Sequence, residues 1–350
     1  MRFLRQLLIA IIFTSASYIA FAMQLPSLPE GVANNAVVQV SNQDGEYLIS
    51  FMGLGPQKTY KDVHNKVWAL KLGSQQWQQK SSVPSSLPLK GRLASIAASI
   101  GDKAYIFGGY TVAEDHQEIS SPDSFKYDVL TDTYQKIAPM PVAVDDSDAL
   151  VYQQRYIYLI SGWHNAGNVN LVQVYDSKTD TWLQGSPFLG TPVFGQAAAI
   201  SGNTIVVCDG VIVKPNLLAR RSYAPTAQCL KGVISKNSPA TIDWQLIKHP
   251  TGKGRYRMAA TAVGDNMYFI GGSHNPYNYN GIGYNKVPSQ ASNEIWIFNS
   301  KTNAWQLESS LARTMDHRGL LYWQKSLITI GGMNSQQQVL ADAIVHKILD

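Results

Sequence analysis

Cysteine is nearly missing from this chain: Cys208 and Cys229 are the only two in 350 residues. So few exclude a disulfide-scaffolded miniprotein and a cysteine-rich zinc or iron–sulfur centre. Charge is thin as well, with Asp, Glu, Lys and Arg making up 15% of the chain. Nowhere do basic residues form a block with interleaved aromatics, which argues against nucleic acid as a partner. The seven histidines are scattered without metal-ligand spacing, so neither a metal nor a cofactor is expected. Asp145-Asp146-Ser147-Asp148 concentrates acids but lacks the spacing of a calcium loop and reads as a polar turn into a strand. No G-x-S-x-G nucleophile turn is present.

Long apolar runs are missing too, apart from one at the N-terminus. Arg2 and Arg5 precede a short apolar core, Leu7 to Phe13, and Ala20-Phe21-Ala22 follows with small residues at its two ends. Residues 1–22 therefore read as a signal peptide cleaved after Ala22, sending a mature chain of residues 23–350 to the periplasm or beyond. The core is too short for a stable anchor, and no other stretch reads as a transmembrane segment. Loss of two arginines and no acid takes the net charge from +5 to +3. In an oxidising compartment Cys208 and Cys229 read as one disulfide; the alternative is two buried thiols.

What the chain does have is repetition. A short apolar strand ending in glycine recurs: Leu48 to Gly53, Ala104 to Gly109, Tyr158 to Gly162, Ile205 to Gly210, Tyr268 to Gly272 and Ile328 to Gly332. An aromatic after a polar turn follows in five of these repeats, at Trp77, Tyr134, Trp182, Trp244 and Trp305. Asp, Asn, Ser and Thr before the aromatic are hairpin formers. Each repeat reads as four strands, and the period of about 50 residues is that of a kelch propeller blade. The last repeat stops after its third strand. Leu25-Pro26-Ser27-Leu28-Pro29 matches the end of a fourth strand elsewhere, Ile137-Ala138-Pro139-Met140-Pro141. The expected fold is all-β: one six-bladed propeller over residues 23–350, closed by the N-terminal strand in the last blade.

Strand order puts two sets of loops on one face, around the mouth of the central channel. They carry Arg92, Trp163, His164, Lys214, Arg257, His274, Tyr279 and Arg318, a set suited to a polar ligand with many hydroxyls.

The glycine pairs and spaced aromatics resemble the kelch family across nearly all of residues 23–350. Within it, length, signal peptide and ring closure are similar to the bacterial periplasmic N-acetylneuraminate epimerases, or sialic acid mutarotases. That resemblance implies interconversion of the anomers of a carboxylated sugar. The family's blade-four loop carries an acid, then Lys-Pro, then an arginine, the acid and arginine being its active pair. Here Lys214, Pro215 and Arg220 match in kind, whereas Val211 stands at the acid. The resemblance makes Arg220 the carboxylate anchor and passes the acid's role to Asp209, Asp148 or another mouth residue. The alternatives are a non-catalytic binding module and a protein-interaction module of the cell envelope.

Overall fold

The computed structural model describes residues 24–216, 218 and 221–347; the expected signal peptide lies outside them. Six antiparallel sheets surround a central axis, five of four strands and a last one of three among the described residues. In blade 3 the strands run outward in chain order: Asp148–Tyr152, Tyr156–Ile160, Val172–Asp176 and Thr181–Gln184. The other blades repeat that order, and their innermost strands touch in turn around the axis, blade 6 against blade 1. Second strands such as Tyr156–Ile160 and Asn266–Ile270 are almost continuously apolar because each blade is packed between two neighbours. Among the described residues no helix is long and apolar enough to cross a membrane.

The glycine pairs are joints between blades. A Cβ on Gly108 would lie 2.1 Å from the Val144 carbonyl of the next blade, and one on Gly109 would lie 2.1 Å from Ser95 Oγ. Both glycines also have positive φ, 59° and 88°. The spaced tryptophans tie blades at the outer rim. Trp182 Nε1 donates to Ala138 O at 3.0 Å and Trp305 Nε1 to Lys248 O at 2.8 Å, each reaching the tail of the preceding blade.

The N-terminal segment supplies the tail of the last blade. Trp77 Nε1 donates to Pro26 O at 2.8 Å, and Leu28 N donates to Ala341 O at 2.7 Å, as Met140 N does to Pro122 O at 3.1 Å. Leu25 and Leu28 are buried in a cluster shared by blades 1 and 6. The segment forms no ladder over residues 24–29, since Pro26 and Pro29 have no N–H to give. The ring is thus closed by side chains and isolated hydrogen bonds in place of the expected outer strand.

Cys208 and Cys229 face each other in register on the second and third strands of blade 4, with their sulfurs bonded. The innermost strands enclose a channel of about 360 Å³, walled by Val38, Ala98, Leu150, Ala198, Ala260 and Leu321.

Candidate functional site

Just before each innermost strand the backbone turns left-handed: Asn34, Ala94, Asp146, Gly195, Arg257 and Asp316 have φ between 49° and 72°. Their backbones join into a ring across the axis. Asn34 N donates to Asp316 O, Ala94 N to Asn34 O, Asp146 N to Ala94 O, Gly195 N to Asp146 O and Arg257 N to Gly195 O, at 2.8–3.3 Å. His317 N, beside Asp316, closes it on Arg257 O at 3.4 Å. A Cβ on Gly195 would lie 2.0 Å from the Tyr256 ring, so this position admits no side chain.

Side chains on the ring plug its centre. Arg257 reaches Asp146 at 2.6 Å and Asp316 at 2.9 Å, while Arg318 pairs with Asp146 from the channel side and donates to Asn34 Oδ1 at 2.9 Å. Burial alone would push the Asp146 carboxyl up, but Arg257 and Arg318 outweigh it and hold Asp146 below the usual carboxylate range. Burial wins at Asp316, which is raised despite the same two guanidiniums.

Above this plug lies a pocket of about 110 Å³, lined among others by Trp163, Phe194, Tyr223, Tyr279 and Tyr284. It adjoins a wider cavity of about 530 Å³ that shares Tyr223, Asn278 and Tyr284. Its aromatic wall is interlocked: Trp163 meets Phe194 edge-on at 5.3 Å, and Tyr223 stacks on Tyr284 at 4.2 Å. Arg221 lies over the Trp163 ring at 4.7 Å.

Besides Asp146 of the plug, two carboxyls line this pocket. Asp145 accepts a hydrogen bond from Ser120 Oγ at 2.6 Å, and its carboxyl is pushed well up by burial and by the charge on Asp146. Glu118, on the hairpin strand Glu118–Ser120, is exposed as a residue. Its carboxyl is nonetheless raised, because the protein around it outweighs the pull of Arg257. The pocket therefore combines apolar ring faces with two carboxyls held above the usual carboxylate range, groups suited to exchanging protons with a bound ligand.

Of the residues expected at the mouth, Trp163, Arg257 and Tyr279 line this pocket. Asp148 and Arg318 line the channel below the plug. His164 is half-buried, its Nδ1 at 2.5 Å from Ala143 O, and lines neither cavity. Lys214 is exposed at the end of the hairpin strand Val211–Lys214, and His274 sits 3.0 Å from Gly254 O and 3.5 Å from Glu294. Arg220 lies outside the described residues.

Two expected residues have other work. Arg92 is 1% exposed and bonded to Ser121 Oγ at 3.1 Å and Pro84 O at 3.3 Å, inside blade 2. Asp209 is 1% exposed, bonded to His249 Nε2 at 2.7 Å and to the Arg255 amide at 2.7 Å, so both oxygens are engaged away from the pocket. His249, the partner of Asp209, has a side chain only 9% exposed. Val211 is fully buried in the apolar cluster with Phe194 and Tyr256.

Comparison with known proteins follows this architecture. A kelch motif model matches residues 254–311. Kelch domain-containing protein 3 of Homo sapiens is 24% identical over 61% of this chain, and the match spans 56% of that protein, little more than half its length. N-acetylneuraminate epimerase of Haemophilus influenzae (strain 86-028NP) is 21% identical, over 95% of this chain and 94% of that protein. Among solved structures, that of YjhT superposes with a TM-score of 0.71 at 17% identity, covering 93% of this chain and 97% of that one.

Proposed function

We propose that this chain, a six-bladed kelch-repeat propeller similar to N-acetylneuraminate epimerase, binds a carboxylated sugar in the loop-face pocket and interconverts its anomers. The observation that carries the reading is the pair of raised carboxyls, Asp145 and Glu118, in a pocket walled by aromatic rings. The sugar's carboxylate is held at the pocket rim by Arg221, and its apolar face lies on Trp163 and Tyr279. Asp145 stays protonated and donates to the ring oxygen as the ring opens. Glu118, which Arg257 pulls toward ionisation, takes the anomeric hydroxyl's proton. Closure on the opposite face returns both protons. Asp209 and Asp148, engaged elsewhere, give up the acid's role to these two. The export reading goes with this proposal, since a Cys208–Cys229 bridge suits an oxidising compartment.

A second reading has a specific observation in its favour: Val211, at the family's acid, is buried and apolar. In that reading the pocket binds and does not catalyse. Calorimetry against N-acetylneuraminate and a neutral hexose, with anomer exchange followed by NMR, separates the two. Catalysis predicts binding of the acidic sugar alone, and Glu118→Gln slowing exchange about 10²–10⁴-fold while binding persists. Binding without accelerated exchange leaves the binding module. Absence of binding to either sugar removes both readings.

A further inference from the structure

The blade 6 loop, between the strands Ser326–Ile330 and Ala343–Lys347, touches the N-terminal tail with one stretch and the wall of the loop-face pocket with another. Toward the tail, Ala341 O accepts the Leu28 amide at 2.7 Å and Leu340 O accepts the Val32 amide at 3.0 Å. A Cβ on Gly31 would lie 2.8 Å from Val339 O, so tail and loop meet backbone to backbone. Toward the pocket, Gln337 is 8% exposed, and its Nε2 donates to Ser289 O and to Ser335 O, each at 2.7 Å. Lys58 of blade 1 fixes the same residue, its Nζ donating to Gln337 O at 2.6 Å.

Ser289 belongs to the blade 5 loop that carries Asn278, Tyr279 and Tyr284 into the pocket. This loop has turns and isolated bridges in place of a ladder. Ser289 N donates to Gly281 O at 3.1 Å, and Gly281 N to Asn278 O at 2.8 Å. Gly281 has φ 84°, and a Cβ there would lie 2.6 Å from Gln337 Cγ, so the turn rests directly on the Gln337 side chain. Without the Gln337 amide, the carbonyl of the fully buried Ser289 loses a donor, which is costly. Val339 packs in the same apolar cluster as Tyr279 and Tyr284.

We infer that Gln337 couples ring closure to the pocket. Docking of residues 28–32 on blade 6 sets the position of Asn278, Tyr279 and Tyr284, and a ligand gripped by those three holds the tail down in return. Gln337 is a positioning residue: neither it nor Lys58 nor Leu28 lines the pocket. Coupling of this kind is reciprocal, so tail and ligand strengthen each other by the same factor. The ligand arm rests on the proposed function; the link from tail to loop does not.

Hydrogen exchange of backbone amides reads the coupling in the full chain, in the parent, Leu28→Ala, Gln337→Met and the double variant. Gln337→Met keeps the length of the side chain and removes its amide. Without ligand, Leu28→Ala should speed exchange at Asn278, Gly281 and Ser289 about tenfold. The Tyr156–Ile160 amides of blade 3 should keep their parent rates, which separates local loosening from global unfolding. In the Gln337→Met background, Leu28→Ala should add nothing at the three loop amides. Lys58→Met, which frees Gln337 while leaving the tail intact, should speed the same three. With N-acetylneuraminate as the probe, saturating sugar should slow exchange at Leu28 and Val32 in the parent and leave both unchanged in Gln337→Met. Parent rates at the loop amides in both Leu28→Ala and Lys58→Met would overturn the inference. So would an equal effect of Leu28→Ala in the two backgrounds, or sugar that binds without slowing Leu28 and Val32. A parent chain that binds no N-acetylneuraminate would remove the proposed ligand, and the ligand-free rates would still decide the coupling.

Discussion

Asp145 and Asp146 are adjacent in sequence, equally buried, and titrate in opposite directions. Asp146 has two guanidiniums against it; Asp145 has a serine hydroxyl and the negative charge of its neighbour. A carboxyl raised in the folded protein binds its proton there more tightly than in the unfolded chain. Its contribution to stability is complete below the unfolded value of about 3.9 and is lost as pH rises through the folded value. Asp145→Asn keeps an acceptor for Ser120 and has no proton to lose. Its melting temperature relative to the parent should therefore climb between pH 5 and pH 8; a constant difference would mean that Asp145 does not titrate in this range. Arg257 is tested differently. Arg257→Met leaves Asp316 without its partner and Asp146 with Arg318 alone, and loss of one partner of a buried pair costs about 3–5 kcal/mol. Urea unfolding showing less than about 1 kcal/mol of destabilisation would refute the plug's structural role. Arg92 and Arg255 show what residue type alone hides. Arg92, expected at the mouth, and Arg255 each stand two positions before the left-handed residue of their blade and are buried, at 1% and 0% exposed. Their equivalent places in two repeats marked them as parts of the blade.

At the scale of the element, the repeat was plain in the sequence because its landmarks are steric. Gly108 and Gly331 sit where a Cβ would strike a neighbouring blade, Gly109 and Gly332 where it would strike the entry loop of their own, and Trp182 and Trp305 reach to the blade before. Leu25 to Pro29 could be matched to Ile137 to Pro141 for the same reason, although the N-terminal piece proved to be a tail without a ladder. Its two buried leucines, at about 1.5–3 kcal/mol each, contribute about 3–6 kcal/mol. Deleting residues 24–30 should lower the melting temperature sharply, and a truncated protein melting like its parent would contradict this. The Cys208–Cys229 bridge joins strands already paired, and the Cys208→Ser/Cys229→Ser chain should lose about 2–4 kcal/mol. Free thiols found by non-reducing mass spectrometry in protein recovered from an oxidising compartment would count against the bridge. The pocket's acids were harder to see. Glu118 lies on a short hairpin between repeat landmarks, with nothing in its neighbours to mark it, and only the closure of six blades brings it beside Asp145 and Arg257.

For the whole molecule, the ring of left-handed residues divides the axis into two chambers with one ionic layer between them. Arg318 rises from the lower chamber to Asp146, and Arg257 spans from Asp146 to Asp316 in the same layer. The ring's last link joins Asn34 to Asp316, nearly the whole chain apart, and Leu28 likewise waits for Ala341. During synthesis Leu28 is made 313 residues (341 − 28) ahead of its partner. Five blades can form while their circle still lacks its sixth wedge, and until it arrives the leucines of the N-terminal tail have no blade 6 surface to cover. Contacts so remote in sequence make assembly slow. A ribosome that stalls before blade 6 is made would therefore leave Leu25 and Leu28 without the surface that buries them. The making of blade 6 decides whether Leu25 and Leu28 find their place.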